Sequence, residues 1–177
     1  GACRVRVRVK VCGLTSAADA GAARRCGADY LGFVFFPRSL RCLTMEDAGW
    51  VRGVEGVPKV GVFRDQEPTF IAKVRDAAWL DLVQLHGGEG PETCAALGGE
   101  ERVVKTFSVS DGPIDWLVVR SFVGAARILF DTAGPRGGGS GRTFDWRLLA
   151  ERPAGLTFWL AGGLDAGNVG EAIRTLR

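Results

Sequence analysis

The sequence predicts an α/β fold in which strands alternate along the chain with helices, and two observations lead to this class. Apolar runs typical of strands that are buried on both faces recur roughly every 20 to 30 residues over the 177-residue chain. Each run is followed by a segment with helical periodicity or helix-start residues. This alternation indicates parallel strands covered by helices, either in a doubly wound sheet or in a (β/α)8 barrel.

The first βα unit begins at residues 5–11, where valine alternates with arginine or lysine, a period of two that predicts a strand ending near Cys12. A Thr-Ser pair then provides N-cap chemistry for an alanine-rich helix over residues 17–26, which a glycine ends. The second unit combines an apolar strand over residues 30–35 with a helix over residues 44–53.

Five further units follow the same order. Proline precedes or opens the third and fourth helices, whereas Pro113 and two aspartates weaken the helical pattern of the fifth. A glycine-rich segment over residues 134–141 follows the sixth strand, and a Gly-Gly pair follows the seventh. The expected strand and helix pairs are 60–63 with 69–79, 82–85 with 91–97, 102–106 with 114–122, 128–131 with 144–150, and 157–161 with 166–176.

The distribution of glycine favours a barrel over an open sheet. A dinucleotide-binding sheet carries GxGxxG after its first strand, whereas this chain has Cys12-Gly-Leu-Thr there and places its glycine-rich loop after strand six. We therefore expect an α/β protein with a (β/α)8 barrel, or TIM barrel, that forms a single domain over residues 1–177. A closed barrel needs eight strands, so we expect seven βα units, with the eighth strand and helix missing at the C-terminal end.

Composition and charge argue against several classes of partner. The net charge is +3, with 23 basic and 20 acidic residues, and the basic residues are scattered, so we expect no nucleic-acid or membrane partner. No apolar run approaches the roughly 20 residues of a membrane-spanning helix, and no secretory signal is visible. The five cysteines include no CxxC pair, which favours reduced thiols and a cytoplasmic location.

Catalytic groups of barrels lie at the carboxyl ends of strands, and this rule selects a thiol and a carboxyl group here. Cys12 ends the first strand, and Asp131 ends the sixth. Cys12 could act as a general base or nucleophile where a cation stabilises its thiolate, or it could be a small buried apolar residue. Asp131 could be a general acid or base, or it could order a loop as an N-cap.

Other strand-end residues are candidate substrate contacts. His86 is the only histidine, so a metal site has little support, and this residue either contacts the substrate or orders its loop. Arg41 could hold a carboxylate through paired hydrogen bonds, or it could be a solvated surface residue. The backbone of Gly162 and Gly163 suits a phosphate, because barrels often bind phosphate at the loops after strands seven and eight.

Six motifs, in order along the chain, resemble those of the phosphoribosylanthranilate isomerases of tryptophan biosynthesis. The resemblance runs from about residue 7 to the C-terminus. The motifs are VKVCGLT at 9–15, GFVFFPRSLR at 32–41, VGVF at 60–63, VQLHG at 83–87, GGSGRTFDW at 138–146, and LAGGL at 160–164 with Asn168-Val169.

The resemblance implies a cytoplasmic isomerase of aromatic amino-acid biosynthesis that needs no cofactor and no metal. Its reaction is an Amadori rearrangement, which converts N-(5-phosphoribosyl)anthranilate into 1-(2-carboxyphenylamino)-1-deoxyribulose 5-phosphate. The expected partner is this small-molecule substrate, and the expected assembly is a monomer or a homodimer. The implied roles are a general base at Cys12, a general acid at Asp131, an anthranilate carboxylate contact at Arg41, a substrate contact at His86, and phosphate contacts at Gly139, Gly162 and Gly163.

Two alternatives remain at this point. The family's eighth strand and its Ser-Ser-Gly-Val-Glu segment, which forms the other half of the phosphate site, do not follow Arg177 in this sequence. A truncated barrel would be inactive, and would only bind sugar phosphates or associate with itself through open strand edges. A related isomerase of a histidine-pathway substrate is less favoured, because such enzymes usually have an aspartate where Cys12 stands.

Overall fold

Parallel strands alternate with helices in the computed structural model, which describes residues 6–134 and 141–176. The chain divides after Gln84 into two compact units. Within the described ranges, all seven strands expected from the sequence are present, and each is followed by helical structure. No helix of these ranges combines the length and the apolar character needed to cross a membrane.

Four strands occupy the part of the chain up to residue 85. The pairs β1–β2 and β2–β3 are parallel, and their register places Cys12 opposite Gly32 and Gly32 opposite Val60. Every residue of β2 and β3 is buried, as the apolar runs predict. The elements are β1 (Lys10–Cys12), α1 (Ala17–Arg25), β2 (Tyr30–Val34), a 3-10 helix (Met45–Asp47) that continues into α2 (Ala48–Arg52), β3 (Lys59–Phe63), α3 (Pro68–Ala78) and β4 (Leu82–Leu85).

Three strands occupy the remainder of the chain. The pairs β5–β6 and β6–β7 are parallel, with Ser108 opposite Asp131 and Phe130 opposite Leu160. The elements are α4 (Pro91–Ala96), α5 (Gly99–Arg102), β5 (Val103–Val109), α6 (Trp116–Ser121), β6 (Arg127–Thr132), a 3-10 helix (Trp146–Glu151), β7 (Phe158–Leu160) and α7 (Val169–Leu176).

The first helix shows how local sequence sets the ends of an element. The Ser16 hydroxyl accepts a hydrogen bond from the backbone N–H of Asp19 at 3.1 Å, which satisfies one of the donors left open at a helix N-terminus. Ala20 and Ala23 form the buried face, and Gly27 follows the last turn with φ +87°, a conformation that glycine adopts without strain. The N-cap and the end predicted for this helix are confirmed.

Three elements illustrate how the structure differs from the expectation. The first strand begins only at Lys10, because the register that pairs Lys10 with Tyr30 places the turn after α1 opposite the preceding residues. The sixth helix is a 3-10 helix over Trp146–Glu151, and its single side-chain cap comes from Asp145, which accepts from the Arg147 backbone. The short helix α5 was not expected, since two glycines in succession are poor helix formers.

Candidate active site

Cys12 lies at the carboxyl end of β1 with an exposed side chain, as the strand-end rule predicts. Its neighbour on β2 is Gly32, and a Cβ atom at that position would lie 2.6 Å from the Cys12 Sγ. The backbone N–H groups of Gly13 and Leu14 both donate to the Gly32 carbonyl, at 2.9 and 3.1 Å. The absence of a side chain at Gly32 therefore leaves room for the Cys12 thiol. The turn after Cys12 is hydrogen-bonded to the backbone of the same glycine.

Arg41 lies beside Cys12, so the structure brings together two of the predicted site residues. Its Nη1 donates to the Cys12 carbonyl oxygen at 3.2 Å, while its backbone N–H donates to the Ser39 hydroxyl at 3.1 Å. The guanidinium also packs over Gly13, where a Cβ atom would lie 2.3 Å from Nη1. The bond to Cys12 uses one of the five N–H donors of the guanidinium, a group that suits a substrate carboxylate.

The strand that carries Cys12 also contacts Gln84, a buried amide on β4 that the sequence reasoning did not select as a site residue. Lys10 precedes Cys12 by two residues on β1, so both side chains leave the strand on the same face. The Lys10 ammonium donates to the Gln84 Oε1 on β4. A glutamine inside the otherwise apolar run of β4 was the available signal, because a buried amide needs a partner.

His86 and Asp131 meet in the second unit, where both side chains are less than one-tenth exposed. Asp131 is the next-to-last residue of β6 and is buried, and His86 directly follows β4. The His86 Nε2 lies 3.4 Å from the Asp131 Oδ2, an ion-pair contact when the imidazole is protonated. The structure thus places the candidate acid against the only histidine of the sequence.

The two glycines after β7 are required by space as well as by conformation. Gly162 has φ +91°, and a Cβ atom there would lie 2.6 Å from the Asp131 Oδ1 and 2.3 Å from the Thr132 Oγ1. Gly163 has φ +64°, and a Cβ atom there would lie 2.4 Å from the Arg142 carbonyl oxygen. Gly162 therefore packs directly on the candidate acid, and Gly139, the third predicted phosphate contact, lies outside the described residues.

A second buried ion pair joins Glu89, in the turn after β4, to Lys105 on β5. The Lys105 Nζ is 2.8 Å from the Glu89 Oε2, and both side chains are about one-twentieth exposed. Sequence reasoning missed this pair, although a lysine within the apolar start of β5 is a signal for a buried charge that needs a partner.

The described residues include other thiols that are poor candidates for a base. Burial raises the pKa of the Cys94 thiol to about 11, and burial together with Asp47 raises the pKa of Cys42. These thiols therefore stay protonated near neutral pH. Within the described ranges, no group of three or more His, Cys, Asp or Glu side chains could hold a metal ion.

Parallel βα units with polar side chains at the carboxyl ends of their strands are typical of barrel enzymes. The family model of N-(5'-phosphoribosyl)anthranilate (PRA) isomerase matches residues 9–177. The chain belongs to the PRA isomerase family.

Relatives and solved structures agree with this assignment. The chain is 43% identical over 177 residues to the enzyme N-(5'-phosphoribosyl)anthranilate isomerase of Geobacter sulfurreducens, covering 97% of this chain and 84% of that protein. It is 41% identical over 180 residues to the enzyme of the same name from Azorhizobium caulinodans, covering 97% and 78%.

The fold is similar to solved structures of PRA isomerases, which confirms the predicted barrel class with seven βα units. The crystal structure from Thermus thermophilus matches with a TM-score of 0.84 at 35% identity, covering 96% of this chain and 83% of that one. A PRA isomerase in complex with reduced 1-(o-carboxyphenylamino)-1-deoxyribulose 5-phosphate matches with a TM-score of 0.77 at 34% identity, covering 97% and 84%.

Proposed function

We propose that this chain catalyses the isomerisation of N-(5-phosphoribosyl)anthranilate in tryptophan biosynthesis, with Cys12 as the general base and Asp131 as the general acid. The observation that carries the proposal is the buried carboxyl group of Asp131, held between the His86 imidazole and Gly162 at the end of β6. The substrate is an aldose derivative and the product is a ketose, so the reaction requires one acid and one base.

The carboxyl group of Asp131 acts first. It donates a proton to the oxygen of the furanose ring, the bond between this oxygen and C1 breaks, and the nitrogen lone pair forms the Schiff base. The carboxyl group loses its proton in this step. Contact with His86 and Gly162 holds the carboxyl in one orientation, which is the requirement for directed proton transfer.

The thiolate of Cys12 acts second. It removes the proton from C2 of the Schiff base, which gives an enolamine that tautomerises to the ketone. The exposure of the Cys12 side chain leaves its sulfur accessible to a substrate, and the thiolate is the form of cysteine that accepts a proton. The reaction needs neither an oxidant nor a cofactor, because the hydrogens only change position.

Arg41 and the glycines bind the two anionic ends of the substrate in this proposal. Arg41 lies against the Cys12 carbonyl and holds the anthranilate carboxylate. The backbone N–H groups of Gly162 and Gly163, together with Gly139, surround the phosphate. We expect the enzyme to act in the cytoplasm as a monomer or homodimer, with residues 1–177 belonging to one barrel domain.

The loss of anthranilate-type fluorescence on conversion of freshly prepared substrate tests the proposal. We expect Cys12→Ala and Asp131→Asn to lower kcat by about 100- to 10,000-fold, the usual contribution of a positioned acid or base. Cys26→Ala is the matched control, since it removes another exposed thiol from the same unit. It should leave kcat unchanged.

Two outcomes oppose the proposal. Turnover that persists in Cys12→Ala contradicts the role of the base. A wild-type chain that binds the reduced product analogue but does not convert the substrate contradicts the activity, and supports a barrel that only binds sugar phosphates.

A further inference from the structure

The buried pair of Glu89 and Lys105 has no part in the proton transfers described above, yet it contacts Gly87, the residue that follows His86. Lys105 lies on β5 with 4% of its surface exposed, and Glu89 lies in the turn between β4 and α4. Two charges taken out of water cost free energy unless their hydrogen bonds are well satisfied. The other hydrogen bonds of the pair therefore indicate which part of the structure the two buried charges stabilise.

The contacts converge on Gly87, the residue directly after His86. The Lys105 Nζ donates to the Gly87 carbonyl oxygen at 2.5 Å and to the Glu89 Oε2 at 2.8 Å. The same Glu89 oxygen accepts a hydrogen bond from the Gly87 backbone N–H at 2.9 Å. Both backbone polar groups of Gly87 are thus held by one ion pair.

Holding the Gly87 N–H also sets the backbone of His86. This N–H belongs to the peptide plane that contains the His86 carbonyl, because a peptide unit is planar. Fixing the plane fixes ψ of His86, and with it the direction in which the imidazole leaves the chain. The contact of His86 Nε2 with Asp131 Oδ2 is 3.4 Å, already longer than an ordinary hydrogen bond, so a further shift of the turn separates the two groups.

We propose that Lys105 and Glu89 are positioning residues of the reaction, which clamp Gly87 so that the His86 imidazole stays against the Asp131 carboxyl group. The inference rests on the proposed function, because it gives Asp131 the role of the acid. It adds two residues that act through His86 and that do not touch the substrate.

The chain provides a matched control in Lys59, another buried lysine. Lys59 is 6% exposed, and its Nζ donates to two backbone carbonyls, those of Val51 and Arg52, each at 3.2 Å. These carbonyls end helix α2 in the first unit and belong to no site residue. Lys59→Met and Lys105→Met therefore each remove a buried ammonium group that donates to backbone carbonyls. Only Lys105→Met removes the hydrogen bond to the Gly87 carbonyl, in the turn after His86.

The experiment measures kcat, KM and the imidazole ¹H–¹⁵N resonances of the ¹⁵N-labelled full chain, in which the single histidine gives one assignable set. For Lys105→Met, we expect shifted His86 resonances, a KM close to wild type, and a kcat lowered by about 10- to 100-fold, the effect of a catalytic group displaced by about 1 Å. For Lys59→Met, we expect the His86 resonances and kcat of the wild-type chain.

A double variant separates positioning from stability. Lys105→Met with Glu89→Leu leaves no charge buried alone, so its stability should recover relative to Lys105→Met. Because the clamp on Gly87 is still absent, its kcat should stay low and its His86 resonances should stay shifted. Recovery of kcat together with stability would overturn the proposal, and so would unchanged His86 resonances in both variants.

Failure of the proposed function gives a different result. If Cys12→Ala stays active, the assignment of the base is wrong, whereas the His86 resonances still report on the clamp without any turnover. If Cys12→Ala is inactive and Lys105→Met keeps wild-type kcat and resonances, only the positioning role is wrong.

Discussion

Replacing Gly162 by alanine tests whether this residue acts by positioning Asp131 or by binding phosphate. The new Cβ atom would lie 2.6 Å from the Asp131 Oδ1, about 0.8 Å short of the 3.4 Å at which ordinary contact begins. It would also lie 2.4 Å from the Thr132 backbone nitrogen, which cannot rotate away as a side chain can. The carboxyl group must therefore move by most of an ångström from the position where it contacts His86.

The size of the effect follows from this displacement. A catalytic group displaced by about 1 Å can lose about 100-fold in rate, so we expect kcat of Gly162→Ala to fall by 10- to 100-fold. The left-handed backbone adds a separate cost of roughly 1 to 2 kcal/mol in stability, because Cβ is disfavoured there. If Gly162 bound phosphate only, the substitution would instead raise KM and leave kcat near the wild-type value.

Gly155→Ala is the matched control for the backbone cost. Gly155 has φ +80° in the same unit, and a Cβ atom there has no atom within 4 Å among the described residues. Thermal unfolding should show the backbone cost in both variants and a larger loss for Gly162→Ala, because its Cβ also overlaps the Thr132 backbone, while steady-state fluorescence kinetics should show a loss of kcat only for Gly162→Ala. Equal kcat values for the two variants would refute the reasoning.

Two further predictions concern the first unit. Gly32→Ala should lower kcat by about 10-fold or more, because its Cβ would overlap the Cys12 thiol and displace it, while Gly49→Ala, with nothing within 4 Å, should keep kcat in the same assay. A hydrogen bond from the Thr44 backbone lowers the pKa of Asp47 below the ordinary value of 3.8. The stability that Asp47 contributes is therefore complete above pH 3.8 and is lost as the pH falls through the lowered pKa, so the difference between wild type and Asp47→Asn in urea unfolding should shrink in that range and not above it.

Period and position in the sequence were enough to place the candidate site residues at strand ends. Apolar runs located the strands, and their carboxyl ends located Cys12, His86 and Asp131, because parallel strands place their functional residues at one end. The contact of His86 with Asp131 could not be derived in this way, since it joins β4 to β6 across 45 positions of sequence. Such a contact depends on the register of strands that do not adjoin each other along the chain.

The supporting residues were harder to predict for the same reason. A lysine in a strand, such as Lys105, indicates a buried charge, but the sequence does not say which of 20 acidic residues is its partner. The turn residue Glu89 became identifiable only when its oxygen was seen to accept from Gly87. Gly162 was assigned to phosphate from its place after a strand. Its close approach to Asp131 depends on how the loop after β7 packs on β6, which the sequence does not show.

The candidate base and the candidate acid each lie beside a glycine that leaves room for the reactive side chain. In the first unit, Gly32 on the strand next to β1 leaves room for the Cys12 thiol. In the second, Gly162 follows the strand next to β6 and leaves room for the Asp131 carboxyl group. A reactive side chain that lies against neighbouring backbone has few rotamers open to it, so its direction is set before substrate binds. A missing Cβ on the adjacent strand or loop therefore helps to fix the direction of each candidate catalytic group, so an added methyl group at either glycine should lower kcat in a chain that still folds.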